Sequence, residues 1–494
     1  MSPGTRLGHP SSRLDQPPGG VSPLFRRPAS LSTSVYLLPY CDSPLSIRAE
    51  CMASGFTKFA APIAAAWTLV QSARRLEREQ WLSAEALATR RWIRLRRLLV
   101  RAAAAPYYRA VLRHTDIRDP RKIQRYEFEA LPFLDRQVIA QHGVGAFLTV
   151  EESRLFSVTT SGSTGTPGRF LRSSLEEAEF SARWRRVYAA WGCSAFDAQV
   201  NVAVAGKPAR SGPVALLRKI GVLPRVESLA SVAPPEQVLE RVRILNPPII
   251  TGYAGAIEAL ADHVLETGAR IKPPRAVFCT AMEVTDRCLE VAEQAFQAPA
   301  VDVYVTNEFG VIGWSCPVRR DLLHMNDDAL VVEVIGPEGS PVPPGTQGEL
   351  VVTGLGLTSM PLIRYKMGDI AAGVAGPCEC GRGLGLLTRV QGRTAHAIRR
   401  PDGALITTPV ITNLFGRARA YQWVRRFQVR EEPGHRLCLL LEARRPPSEA
   451  QRHTLIRTVQ SGLGPEFQVA LEIVDRIPVA PSGKLQLLVP LAHG

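Results

Sequence analysis

Thr159-Thr160-Ser161-Gly162-Ser163-Thr164-Gly165-Thr166-Pro167 joins a strand-like run to a helical pattern and sets the fold expected around it. It follows a short apolar run, residues 156–159, that reads as a strand, and it leads into a helical pattern over about 175–191. Hydroxyl and glycine residues in such succession suit an anion. Backbone N–H groups can converge on its oxygens, glycine lets the chain come close, and hydroxyls add donors. The Lys that marks the GxxxxGK[ST] phosphate loop is missing here. Taken alone, the segment also fits an ordinary polar turn.

Outward from this loop, apolar runs at 200–204, 248–251, 276–280 and 301–305 alternate with helical segments at 235–245, 254–267 and 286–296. Strand–helix alternation predicts a mixed or parallel sheet with helices packed on its faces. Residues 330–335 and 349–353 read as strands around a Pro/Gly turn. After Gly392 the pattern restarts, with strands at 427–429, 437–442 and 469–474 and a helix at 448–459. The expected fold class is α/β. A large multi-layer N-terminal domain with mixed β-sheets and flanking helices covers 52–392, and a small α+β C-terminal lid domain covers 393–494. Upstream, a basic amphipathic helix begins near Trp81. Trp92, Leu95, Leu99 and Ala102 share one face, and Arg91, Arg94, Arg97 and Arg101 lie elsewhere around it. A solvated face on a helix packed against the body is expected over a membrane-surface helix. Pro106-Tyr107-Tyr108 is expected to end it.

The chain has 494 residues and a formal net charge of +15, spread along its length instead of gathered in tracts. We read this as a general field that favours anions, with no nucleic-acid partner. No stretch reaches the roughly 20 apolar residues that span a bilayer, so no membrane span is expected. Residues 1–51, rich in Pro, Ser, Gly and Arg, read as a disordered tail or as the product of a mis-set start with Met52 as initiator. Nine cysteines in a chain of this length do not make a disulfide framework, and a cytoplasmic location is expected. Cys193, Cys279, Cys288 and Cys438 read as small buried hydrophobes.

Three further segments carry chemistry. Tyr304-Val305-Thr306-Asn307-Glu308-Phe309-Gly310 puts a Glu at a strand's C-terminal end, where open α/β sheets bind ligands and where a carboxylate can hold Mg²⁺ beside a triphosphate. Met360-Pro361-Leu362-Ile363-Arg364-Tyr365-Lys366-Met367-Gly368-Asp369 places an Asp where it can accept from both ribose hydroxyls, and Gly392-Arg393 follows. Pro481-Ser482-Gly483-Lys484 sets a cation on a turn of the small domain, suited to neutralising charge on a phosphate. Read singly, these are a loop carboxylate and a surface Lys.

In this order and spacing the four segments resemble the adenylate-forming (acyl-CoA synthetase) superfamily, in its phenylacetate–CoA ligase-like branch. The resemblance runs from about Trp81 to Pro490 and includes Cys378-Glu379-Cys380-Gly381-Arg382. It implies that Thr160, Ser161, Gly162, Ser163, Thr164, Gly165 and Thr166 hold the phosphates of ATP. It implies that Ala281, Glu283, Tyr304 and Thr306 line the adenine and acyl pocket, that Glu308 ligates Mg²⁺, and that Asp369 and Arg393 serve the ribose and hinge. Lys484 would bridge the substrate carboxylate and the α-phosphate, after which the lid rotates for thioester formation with coenzyme A. Two departures stand out. Asn307 replaces a usual Thr, and Thr394-Ala395-His396 replaces the acidic pair that commonly follows Gly-Arg.

Cys316, His324, Cys378 and Cys380 offer the thiolate and imidazole ligands zinc prefers. Read from the residues alone, free thiols remain the alternative. The resemblance implies a structural Zn²⁺ on this set. The expected activity is ATP-dependent activation of a small-molecule carboxylic acid, then thioester formation with coenzyme A, as an aryl or acyl-CoA ligase. The alternatives are an adenylating enzyme that uses a carrier-protein thiol or an amine, and a non-catalytic nucleotide-binding descendant. A homodimer is a guess.

Overall fold

A computed structural model describes residues 57–115, 117, 119–159, 168–194, 196–203, 225–281, 283–393, 397–401, 405–477 and 486–491. The expectations for residues 1–51, for Thr160 to Thr166, for Thr394-Ala395-His396 and for Lys484 fall outside these residues.

The strand before the Ser/Thr/Gly segment does not lead straight into a helix. β1 (Phe156–Thr159) pairs antiparallel with β2 (Arg169–Arg172), Thr159 opposite Arg169, so residues 160–168 join the arms of a hairpin. Phe170, Leu171 and Arg172 are all buried, which removes the in–out alternation that would have announced β2. The helix Ser174–Ala190 follows, opened by a capping box between Ser173 and Glu176. The Glu176 carboxylate also accepts from the backbone N–H groups of Thr358 and Ser359, at 2.7 and 2.8 Å, and ties that helix to the 358–359 turn.

The body is built on one sheet. In chain order its strands are β3 (Gln199–Ala203), β4 (Val226–Ala230), β5 (Ile249–Tyr253), β6 (Ala276–Thr280), β7 (Ala300–Thr306), β8 (Gly310–Ser315), β9 (Leu322–Met325), β10 (Leu330–Ile335), β11 (Gln347–Gly354), β12 (Tyr365–Val374) and β13 (Leu386–Thr388). Their spatial order is β10-β11-β12-β13-β9-β8-β7-β6-β5-β3-β4. From β4 to β7 every pairing is parallel. From β7 to β10 every pairing is antiparallel. The parallel half exists because the helices Pro235–Leu245, Ala254–Thr267 and Asp286–Phe296 supply the crossovers it needs. At β7 the chain instead reverses through a three-residue turn into β8. The change from parallel to antiparallel therefore falls on Asn307-Glu308-Phe309.

The helix Ala84–Ala102 buries Leu95, Leu99 and Ala102 as expected. Two of its arginines are half-buried and paired with the body: Arg91 with Asp327 at 3.1 Å, and Arg94 with Glu79 at 2.6 and 2.8 Å. Pro106 does not end this helix, which has already stopped at Ala102. It opens the next one, Pro106–His114, where a missing N–H at the first turn costs nothing. The preceding helix, Thr57–Glu79, lies largely upstream of the pattern that begins near Trp81.

After Arg393 come β14 (Ile398–Arg399) paired with β15 (Leu405–Ile406), and a sheet ordered β18-β17-β16-β19. It comprises β16 (Val424–Glu432), β17 (Arg436–Ala443), β18 (Gln468–Ile473) and β19 (Leu488–Val489). The helix Glu449–Leu463 crosses from β17 to β18, which pair in parallel. Phe415, Trp423, Val429, Leu441, Leu455 and Val459 belong to a core of this unit's own. Among the described residues no helix is long and apolar enough to cross a membrane.

Candidate functional site

The turn between β7 and β8 is closed by Thr306, whose hydroxyl accepts from the Phe309 N–H at 3.2 Å. Asn307 connects it to the hairpin. The Asn307 side chain donates to the Thr159 carbonyl at 3.4 Å, and its own carbonyl accepts from Arg172 at 3.0 Å. Thr159 is on β1 and Arg172 on β2, so Asn307 fastens the Glu308 turn to the β1–β2 hairpin. Glu308 itself is buried, and its Oε1 pairs with Arg136 at 3.0 Å. The Tyr365 phenol shares that guanidinium, and burial pushes the phenol above its ordinary range. Arg136 and Arg172 were not singled out in the sequence because each is one basic residue among many.

Asp369 lies on β12 and forms an isolated bridge with Arg393. Its Oδ2 accepts from the Tyr304 hydroxyl at 2.6 Å, and its Oδ1 accepts from Arg393 Nε at 3.1 Å. Burial raises the Asp369 carboxyl, and the Arg393 charge together with the Tyr304 hydrogen bond oppose that shift. Ala281 directly follows β6 with a φ of 61°, a left-handed conformation that costs an L-residue and often marks a functional turn. Two residues on, burial lifts the Glu283 carboxyl to about 7, against a hydrogen bond with Thr408. Its Oε1 is buried without a partner. Gly392 lies beside it at φ 108°, a conformation L side chains rarely adopt; a Cβ there would stand at ordinary contact distance, 3.5 Å, from Glu283 Oε2. Arg389 pins the 281–286 loop by donating to the Val284 carbonyl at 2.7 Å and pairing with Asp286 and Asp302 at 2.5 and 3.3 Å. Glu283, Tyr304, Asp369 and Arg393 thus meet beyond the C-terminal ends of β6 and β7, where open α/β sheets hold ligands.

A second cluster lies apart from this cleft. Cys316 follows β8, His324 is on β9, and Cys378 and Cys380 lie between β12 and β13. The pairing of His324 with Leu386 across β9 and β13 brings the halves together. Their ligand atoms all lie within 4.8 Å of one another, with Cys316 and Cys378 sulfurs 3.5 Å apart and His324 Nε2 3.2 Å from Cys380 Sγ. Hydrogen bonds, first from Cys316 and then from His324, draw the Cys380 thiol well below its ordinary range. A tetrahedral site with metal–sulfur bonds of about 2.3 Å sets its donors about 3.8 Å apart. The donor set fits zinc in type and in spacing. Cys193, Cys279 and Cys288 are buried as expected, while Cys438 is half-buried.

The chain resembles known proteins in sequence and in fold. Over 309 residues the chain is 24% identical to a phenylacetate–coenzyme A ligase of Thermus thermophilus, covering 61% of this chain and 69% of that one. Its fold matches the crystal structure of a 2-hydroxyisobutyryl-CoA ligase in the postadenylation state with a TM-score of 0.69, at 20% identity, over 84% of this chain and 91% of the other. The chain is thus similar in sequence and in fold to adenylate-forming acyl-CoA ligases. Another relative is protein CapK of Staphylococcus aureus, 24% identical over 270 residues, which are 53% of this chain and 58% of CapK. The CapK C-terminal domain model matches residues 398–490, the part of the chain that carries β14 to β19. The same 2-hydroxyisobutyryl-CoA ligase in its thioesterification state matches with a TM-score of 0.53, at 21% identity and again over 84% of this chain and 91% of the other.

Proposed function

We propose that the chain activates a carboxylic acid with ATP as its acyl-adenylate and then forms a thioester with coenzyme A. The observation that carries this reading is the convergence of Tyr304 and Arg393 on Asp369, at 2.6 and 3.1 Å, at the end of the sheet that also presents Glu308. Asp369 offers two acceptor oxygens to a ribose, whose hydroxyls replace the donors it holds in the free protein. Residues 160–166 would take the phosphates, and Asn307 ties the Glu308 turn to Thr159, the residue before them. Mg²⁺ held by Glu308 would supply charge neutralisation on the phosphates. Arg136 pairs with the buried Glu308 carboxylate at 3.0 Å and fixes where it points.

A carboxylate is a poor electrophile and hydroxide a poor leaving group, so activation requires in-line attack on the α-phosphate with pyrophosphate leaving. Positioning and charge neutralisation are what a protein contributes to such a step. Lys484, on residues 393–494 acting as the lid, brings its cation to the attacking carboxylate and the α-phosphate. Cys316, His324, Cys378 and Cys380 would hold a structural zinc; four protein donors leave no open position for catalysis. At equal coverage the chain overlays better on the postadenylation state of its structural neighbour than on the thioesterification state, which supports an adenylation-side lid orientation.

ATP–pyrophosphate exchange over a panel of aromatic, aliphatic and amino acids, with and without coenzyme A, tests the proposal. Acid-dependent exchange with product formation only when coenzyme A is added is the expected result. Exchange without coenzyme A dependence would transfer the reading to a carrier-protein thiol or an amine acceptor. No exchange with any acid, in folded protein, would reject adenylation.

A further inference from the structure

Glu258, Asp262 and Glu266 stand four residues apart on the helix Ala254–Thr267, so they share one face. Two arginines meet this acidic ladder from different sides. Arg287, on the helix Asp286–Phe296 of the same large domain, pairs with Glu258 and, at 2.8 Å, with Asp262. Arg444, just past β17 in the C-terminal unit, pairs with Asp262 at 3.0 Å and with Glu266. Asp262 is therefore shared between a guanidinium of its own domain and one from the lid. Tyr421, also in the C-terminal unit, presents its ring to Arg287 with the guanidinium carbon 5.2 Å from the ring centroid. The Arg444 N–H donates to the Trp423 carbonyl at 2.7 Å, and Trp423 lies in the core of the C-terminal unit. The Arg444 backbone thus moves with that unit as one body.

We propose that Arg444 is a positioning residue for adenylation, latching the lid to the Asp262–Glu266 face and letting go before acyl transfer. The inference rests on the two-step reading above. It follows from where the partners sit: the acids are fixed on a helix of the large domain, and Arg444 is fixed to the lid. A lid that rotates about the segment after Gly392 cannot keep those contacts. Arg444 and Asp262 are 25% and 24% exposed, which leaves the pair strong enough to bias an orientation and open enough for salt to loosen it. No ion pair or hydrogen bond described for Arg444, Asp262 or Glu266 involves Glu283, Tyr304, Asp369 or Glu308. Any effect on chemistry therefore runs through the lid.

The test uses the full chain with a donor and an acceptor fluorophore, one on each domain, in buffer without ligand. Raising NaCl from about 0.05 to about 0.5 M should lower the docked population in the wild type. Arg444→Gln should lower it about threefold to tenfold at low salt and remove the salt response, and Arg444→Lys should restore part of both. With the acid found by the exchange panel, Arg444→Gln should slow pyrophosphate exchange by a similar factor. It should leave transfer from chemically prepared acyl-adenylate to coenzyme A as fast as in the wild type, or faster. Equal docked populations in the wild type and Arg444→Gln would overturn the latch, as would equal slowing of both half-reactions without rescue by Lys. A salt- and Arg444-dependent fluorescence change in a protein that exchanges with no acid would uphold the latch and sink the two-step reading.

Discussion

The Tyr304 hydroxyl donates to Asp369 Oδ2 at 2.6 Å, joining β7 to β12 although β8, β9 and β13 lie between them in the sheet. Arg393 occupies the other carboxylate oxygen. Asp369 is therefore buried with both carboxylate oxygens hydrogen-bonded.

If Asp369 binds the ribose, Asp369→Asn should raise the KM for ATP at least about tenfold, since hydrogen bonds to a charged acceptor contribute about 1.5–3 kcal/mol. Tyr304→Phe should raise it less, because the ribose donors replace the phenol. Exchange kinetics over ATP concentration decide this, and an unchanged KM in Asp369→Asn removes the residue from the nucleotide site.

Glu283 gives the nucleotide-free protein a pH dependence. Its carboxyl titrates near 4.5 ordinarily and at about 7 when folded, so between those values the folded chain keeps a proton that the unfolded chain has lost. The associated stability is complete below the lower value and is lost as pH rises through the upper one. Thermal melts between about pH 5 and pH 8 should therefore show a decline that Glu283→Gln flattens. The same slope in both proteins would contradict the burial argument.

The Cys316, His324, Cys378 and Cys380 donors should hold about one zinc per chain, measured by elemental analysis of purified protein. Chelation should lower the melting temperature, and Cys378→Ser should reproduce both losses. Protein that carries no zinc after expression in zinc-supplemented medium has no such site.

Lys484→Ala should reduce acid-dependent pyrophosphate exchange by about a hundredfold or more while leaving ATP affinity within about threefold, because the lid cation acts on developing charge and not on ground-state binding. Exchange at the wild-type rate would end the role assigned to Lys484.

Much of the fold was legible because it depends on local pattern. The helices Pro235–Leu245, Ala254–Thr267 and Asp286–Phe296 and the strands β6 and β10 coincide with their expected ranges. Each is set by its own periodicity and by its own caps, such as Asn246 and Gly268 in left-handed conformations after two of those helices. β2 was missed because its run of buried side chains has no alternation. The turn of Pro106 from helix end to helix start was missed because proline is compatible with both.

The type and order of the elements and the chemistry-bearing residues follow from short segments, because propensity, periodicity and side-chain chemistry are local properties. Which of these residues meet is set by the packed fold. Asn307 reaches Thr159, Arg136 neutralises Glu308, and Arg444 of the lid pairs with Asp262 of the body. Those partners stand 148, 172 and 182 positions apart, and any of the chain's many arginines would satisfy the same local rules. Sheet order and domain packing select among them, since a buried charge is stable only beside the partner that the fold delivers.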